Sequence, residues 1–189
     1  MSDAIEQLRA ALRQAQLVIE RVEPDQLELP TPCEEWTVRQ VINHLVTGNL
    51  MVSALVAEDP PPDRFADHLG TDYRNAFREG ADILLDALQR EGALCKMYET
   101  PVGRGPGSLL AEMRANEAVV HAWDIATATG QSLELDQELC EAALQGYSRF
   151  LNGRDRAQTA FNPERPAPPD ATSAERLAAY LGRRVRSEG

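Results

Sequence analysis

The stretch SLLAEMRANEAVVHAWDIATATG, from Ser108 to Gly130, decides how this chain is read. Ser108 is a typical helix N-cap and Gly130 a typical residue just past a helix end, so one long helix is predicted between them. At about 100° per residue, Leu110, Met113, Glu117, Val120, His121, Asp124 and Ala128 share one stripe. The apolar members turn that stripe inward, and Glu117 and His121 go with it. A buried carboxylate and imidazole are costly unless something satisfies them. Side chains at i and i+4 converge, so one divalent cation would serve both; a buried hydrogen bond between them is the simpler alternative.

Working outward, the rest of the chain is also helical. Ile5, Leu8, Leu12, Ala15, Ile19 and Val22 predict an amphipathic first helix, followed by a stiff connector at Leu29 to Pro32. Thr37 and Gln40 form a capping box for a second helix running to about Ala57, with Trp36 and Val41 placed as a hydrophobic staple. Pro60, Pro61 and Pro62 forbid its continuation. A long crossover, about Asp59 to Gly70, leads to a third helix from Asp72 to Gln89 with Tyr73, Phe77, Leu84 and Leu88 on one side. Met97 to Val102 reads as extended and Gly103 to Gly107 as a flexible turn. A fifth helix follows Asp136 and stops near Asn152-Gly153; Thr172 and Glu175 open a short sixth, stopped by Gly182. The end, from Arg183, reads as frayed. The fold class is therefore all-α: a four-helix bundle with a long crossover between helices two and three, plus short C-terminal helices. Residues 1–151 form the bundle and 152–189 an extension packed on it within the same domain.

Composition narrows the partners. The chain has 189 residues, is 43% hydrophobic but only 5% aromatic, and carries a formal net charge of -11. Its core must rest on aliphatic side chains, and its charge repels phosphate backbones and anionic lipid, which argues against nucleic acid and membrane partners. The start, Met1-Ser2-Asp3-Ala4-Ile5, lacks the pattern of a secretory signal, and no apolar run approaches the roughly 18 residues of a membrane span. Cys33, Cys95 and Cys140 are widely spaced and form no C-x-x-C pair, consistent with a reducing, cytoplasmic setting.

His44 strengthens the metal reading. It lies on the second helix, at the edge of the stripe of Val41, Leu45, Val52 and Leu55, with Gly48 one turn on leaving room beside it. A core histidine bonded to a carbonyl is the alternative, yet two helices supplying inward His and Glu is how bundles build metal sites. His68, in the polar crossover, reads as a surface residue. Asp124 is placed to orient a ligand or reach the metal through water, or else to bond a nearby helix. Arg114 is placed for an anionic substrate or a structural ion pair. Cys33, Trp36 and Trp123 read as packing.

Thr31-Pro32-Cys33-x-x-Trp36, the run Val41-Ile42-Asn43-His44-Leu45, and Arg114-x-x-Glu117-x-x-x-His121-x-Trp123-Asp124-Ile125-Ala126 together resemble the metal-binding DinB-like superfamily. The branch they resemble is the actinobacterial group related to the N-terminal domain of mycothiol-dependent maleylpyruvate isomerase, and the ending Arg176-Leu177-Ala178-Ala179-Tyr180-Leu181-Gly182-Arg183 resembles its single-domain members. The resemblance implies a metal site at His44, Glu117 and His121, with zinc, nickel or another divalent ion and water in the open position. In the isomerase a substantial C-terminal domain follows the bundle; here only about residues 152–189 do. The expected function is a metal-dependent S-transferase or thiol-assisted isomerase, using a small thiol of the mycothiol type on a small electrophile. A metal-dependent hydrolase and a non-catalytic metal- or ligand-binding bundle are the alternatives, no catalytic residue is assigned, and a homodimer is compatible with all three.

Overall fold

The structure is a computed structural model that describes residues 3–33, 36–100, 103–132, 134–159 and 161–185. Six α-helices dominate it: α1 (Asp3–Glu20), α2 (Val38–Ala57), α3 (Tyr73–Leu88), α4 (Gly107–Ala128), α5 (Gln137–Leu151) and α6 (Ser173–Tyr180). A small antiparallel hairpin, β1 (Met97–Thr100) and β2 (Gly103–Pro106), joins α3 to α4. The all-α bundle expected from the periodicity is the architecture found.

The local signals explain most boundaries. Thr37 and Gln40 cap α2 reciprocally, Thr172 and Glu175 do the same for α6, and the Asp72 and Asp136 carboxylates accept from free N–H groups of α3 and α5. Gly130, at φ +66°, takes the left-handed conformation that ends α4. The five apolar positions foreseen on α1 and Val22, just past its end, are all buried, as are Tyr73, Phe77, Leu84 and Leu88 on α3. Full burial of a side chain such as Phe77 contributes about 1.5–3 kcal/mol.

Three expectations about α4 and its approach are corrected. Gly103–Pro106 is a strand paired with β1, not a flexible turn; the tip, residues 101 and 102, lies outside the described residues. Ser108 is not the N-cap, because the helix already begins at Gly107. The N–H groups of Gly107 and Ser108 donate instead to the carbonyls of Lys96 and Leu94, at 3.0 Å each. A Cβ on Gly107 would run into the Ala93 carbonyl, so only glycine allows this close approach. Finally, α4 is buried on nearly every side rather than along one stripe: it packs against α1, α2, α5 and α6. Ala111, Ala115, Ala118, Ala122 and Ala126 are its small buried positions, and Ala11 and Ala15 are those of α1, so the two helices approach closely.

On α2 the buried stripe runs through Val41, Leu45, Asn49, Ser53 and Val56. Val52 and Leu55, expected on it, are only half-buried, because at about 100° per residue they fall to one side of the face centred on Val38, Ile42, Leu45, Asn49 and Val56. This helix has the length and hydropathy of a membrane span, yet in the bundle it packs against α3 and α4. Ala174, Leu177 and Leu181 join the core formed by α1 to α5, so the C-terminal helix shares it.

Candidate metal centre

One turn of α4 sets Glu117 and His121 side by side, and α2 brings His44 across to them. His44 Nε2 lies 2.9 Å and His121 Nε2 3.4 Å from the same oxygen, Glu117 Oε2. The ligand atoms of all three residues fall within 4.8 Å of one another. Tetrahedral zinc with bonds of about 2.0–2.2 Å to N and O ligands places those ligands roughly 3.3 Å apart; the two contacts to Glu117 Oε2 match that spacing closely, so these residues could hold a divalent ion.

The residues around the triad orient it. His121 is 4% exposed, and its Nδ1–H donates to Asp124 Oδ2 at 2.9 Å, which turns Nε2 toward Glu117 and His44. Asp124 accepts two further hydrogen bonds, from Arg183 Nε at 3.0 Å and Arg183 Nη2 at 2.9 Å. The other oxygen of the triad carboxylate, Glu117 Oε1, accepts from the Tyr147 hydroxyl of α5 at 2.9 Å. That bond commits Oε1, so the carboxylate faces the histidines through Oε2 alone.

The loop before α2 forms a wall over the triad. The Thr31 hydroxyl donates to the Trp36 carbonyl at 2.9 Å, and the Trp36 N–H donates to the Cys33 carbonyl at 3.1 Å, closing the loop on itself. It sets the Trp36 ring 4.7 Å from His44 and 5.9 Å from His121. Cys33, expected only to pack, comes close enough to His121 and Asp124 to form a second group of candidate ligands. That group is poorly available, since the Asp124 oxygens are already engaged by Arg183 and His121.

Charge within this network is shared among buried groups. Burial works to raise the Glu117 pKa, but hydrogen bonds from His121 and His44 outweigh it and hold the carboxyl well below its usual range. Burial works to lower the His121 pKa, but Asp124 and Glu117 raise it above that of a free imidazole. His44 goes the other way, because burial outweighs its one bond to Glu117. Burial and the Glu117 charge push the Tyr147 hydroxyl well above its normal value, so it remains a donor.

The structure brings together His44, Glu117 and His121, with Asp124 immediately behind them. His68 stays in the crossover, half-buried, with its ring against the Asp63 carbonyl. Arg114 belongs elsewhere: its Nε donates to Asn49 Oδ1 and its Nη2 to the Leu45 carbonyl, both at 3.1 Å, so its bonds bind α4 to α2. Gly48 makes room for this guanidinium rather than for His44, since a Cβ there would lie 2.6 Å from Arg114 Cζ. Gly48→Ala is accordingly expected to destabilise the protein by about 1–3 kcal/mol, read from urea midpoints, as an overpacked site does. Unchanged midpoints would show that Arg114 moves aside freely.

Sequence reasoning missed Tyr147 and Arg183. Tyr147 left a trace: it continues the Cys140 and Ala143 stripe of α5, and an inward phenol needs a partner. Arg183 left none, and its expected fraying is wrong. It is 7% exposed and forks onto a fully buried Asp124 59 residues away in sequence. Burial works against both charges, but the pair's mutual charge and hydrogen bonds, with the His121 bond to Asp124, together outweigh it and hold Asp124 below and Arg183 above their ordinary pKa values.

Comparison with known proteins agrees with this architecture. Two uncharacterized proteins of Mycobacterium tuberculosis, from different strains, are each 34% identical over 170 residues, spanning 89% of this chain and 91% of theirs. The crystal structure of a histidine-to-alanine mutant of mycothiol-dependent maleylpyruvate isomerase superposes with a TM-score of 0.68 at 18% identity, over 86% of this chain and 72% of that one. A second crystal structure of that isomerase gives 0.62 at 18% identity, over 77% of this chain and 67% of the other. Those likenesses establish the shared fold. Residues 8–126, which contain all three residues of the triad, match the family model described as the mycothiol maleylpyruvate isomerase N-terminal domain, and the chain belongs to that family.

Proposed function

We propose that His44, Glu117 and His121 hold one divalent metal ion, zinc first among the candidates. We further propose that the protein is a thiol-dependent S-transferase or isomerase acting on a small electrophile. The observation that carries this reading is the His121 ring, held at Nδ1 by Asp124 so that Nε2 faces the other two donors. Metal-ligating histidines are held in this way. The solved isomerases with this fold are mycothiol-dependent by name, which supports a small thiol of that type as co-substrate.

A divalent cation bound here supplies Lewis acidity that lowers the pKa of an incoming thiol from its free value of about 8.5. The protein's own residues prepare for that thiol. Two neutral imidazoles and one carboxylate leave a divalent site with roughly one positive charge, which favours a soft anionic thiolate over neutral water. Tyr147 holds one oxygen of Glu117 and so fixes the direction of the other. Trp36 covers the histidine rings on one side and limits water there. The side chains of His44 and Glu117 keep 37% and 24% exposure, so an exogenous group has access. In a transfer the sulfur, its proton given up to solvent, would bond to the electrophilic carbon as a leaving group departs from that carbon with its bonding pair. In an isomerisation it would add to a carbon–carbon double bond, the opened π pair moving onto the substrate; after rotation about the remaining single bond the double bond would re-form as the C–S bond breaks and the thiol is regained.

A hydrolase would need a general base beside the metal. Asp124, the candidate named from sequence, is fully buried and occupied by His121 and Arg183, which counts against it. Cobalt-substituted protein titrated with a small thiol tests the thiol reading. A saturable thiolate-to-metal absorption band that strengthens as pH rises through the thiol's ionisation is expected. A spectrum unchanged up to millimolar mycothiol, with cobalt demonstrably bound, would leave a metal site without the thiol chemistry.

A further inference from the structure

A cleft of about 420 Å³ adjoins the triad, between α4, α5 and the chain that follows α5. Glu117 and Tyr147 form part of its lining, so it borders the carboxylate whose other oxygen faces the histidines. Its size lies at the lower end of small-molecule sites, about 300–1,000 Å³.

Three features describe what fits it. The first is apolar: Met113, Phe150 and Phe161 line the cleft, with the Phe161 ring edge-on to Tyr147 at 5.2 Å. The second is a buried acceptor. Asn116 lines the same cleft, is only 5% exposed, and its Oδ1 has no hydrogen-bond partner. An amide oxygen in that state is costly until an N–H or O–H donor arrives. Gly146 on α5 faces this amide, and a Cβ there would collide with it, so glycine makes room for the amide at the cleft wall. The third is charge. Arg149 and Glu112 pair with each other and cancel. Arg154 lines the cleft with its guanidinium 4.7 Å from the Phe150 ring centre, and no carboxylate pairs with it among the described residues.

We propose that this cleft binds the electrophilic co-substrate, and that this molecule is a small carboxylate with an aryl or alkyl body and an N–H or O–H donor between the two. The apolar body sits against Met113 and Phe161, the donor meets Asn116 Oδ1 once the buried amide turns that oxygen to the cleft, and the carboxylate meets Arg154. The role as co-substrate rests on the thiol-transfer reading; the binding itself does not.

N-benzoylglycine carries a ring, an amide N–H and a carboxylate, and it serves as the probe. Calorimetric titration of the full chain, with zinc and again after chelation, is expected to show saturable binding of one molecule in the submillimolar to millimolar range. N-acetylglycine, which lacks the ring, is expected not to bind. Asn116→Leu removes the acceptor and is expected to weaken binding about tenfold, with the thermal midpoint unchanged or raised. Arg154→Glu, at the mouth, is expected to weaken it roughly fivefold or more, most at low salt. No saturable binding to folded protein, or equal binding in both variants, overturns the proposal. Binding that persists while the cobalt spectrum ignores thiols sinks the thiol reading and leaves the cleft. A cobalt band without probe binding sinks the cleft alone.

Discussion

Glu117→Ala and His121→Ala are each expected to lower zinc affinity on the order of a hundred- to a thousandfold, while His68→Ala leaves it unchanged. Structural zinc sites in small peptides bind with apparent free energies of about 10–16 kcal/mol, so each ligand accounts for roughly 3–4 kcal/mol. Glu117 should be the more sensitive position. Its carboxylate meets both histidines and the Tyr147 hydroxyl, so truncation leaves three groups without their acceptor. Glu117→Gln keeps the volume and separates loss of charge from loss of packing. Competition with a chromophoric chelator measures the affinity, and circular dichroism of the metal-free variants shows whether the bundle persists. The pH dependence has a definite sign. The His121 pKa is raised above 6.5 in the metal-free protein, so protons compete for this ligand from above that pH, and zinc affinity falls steadily as pH falls through it. If His68→Ala weakened binding as much as the triad variants, the assignment of the site to α2 and α4 would be wrong.

Arg183→Ala is expected to cost about 3–5 kcal/mol of stability, because it leaves Asp124 charged, buried and unpaired. The same substitution is expected to weaken zinc binding about ten- to a hundredfold, since Asp124 then no longer holds the His121 ring as firmly. The double variant Asp124→Leu with Arg183→Leu should be more stable than either single truncation, because no orphan charge remains. Asp124 is held below its ordinary value of 3.8, so the stability it contributes is full above the unfolded pKa and is lost as pH falls through the lower folded value. Arg183→Ala should therefore lose its deficit, relative to the wild type, in urea titrations as pH falls through and below the lowered Asp124 value. A mutant as stable as the wild type at neutral pH would show that the buried pair is energetically neutral.

The two predictions draw on residues of unequal visibility. Glu117 and His121 were legible because a helix converts spacing into proximity: four residues apart on one stripe means one turn apart in space. His44 was legible because α2 announces its own phase through the Thr37 and Gln40 capping box. Asp124 was visible as a neighbour of the site, but its role was open between a ligand's support and an ordinary helix contact. Gly48 signals a close neighbour without naming it. Its missing side chain pointed to a neighbour, and only the packing of α4 on α2 identified that neighbour as Arg114.

The sequence by itself determined the helices, the caps of α2 and α6, and the inward histidines and carboxylate, because each of these follows from interactions within about four residues. It also carried the combined motifs by which the family resemblance was stated. The tertiary structure alone decided what lies on either side of the triad. Tyr147 reaches Glu117 across 30 positions and Arg183 reaches Asp124 across 59, while the Trp36 ring covers His121 from a loop before α2. No periodicity spans such distances. These partners meet because the burial of α4 on several faces draws α2, α5 and α6 around it, and a buried polar group then takes whichever partner that packing delivers.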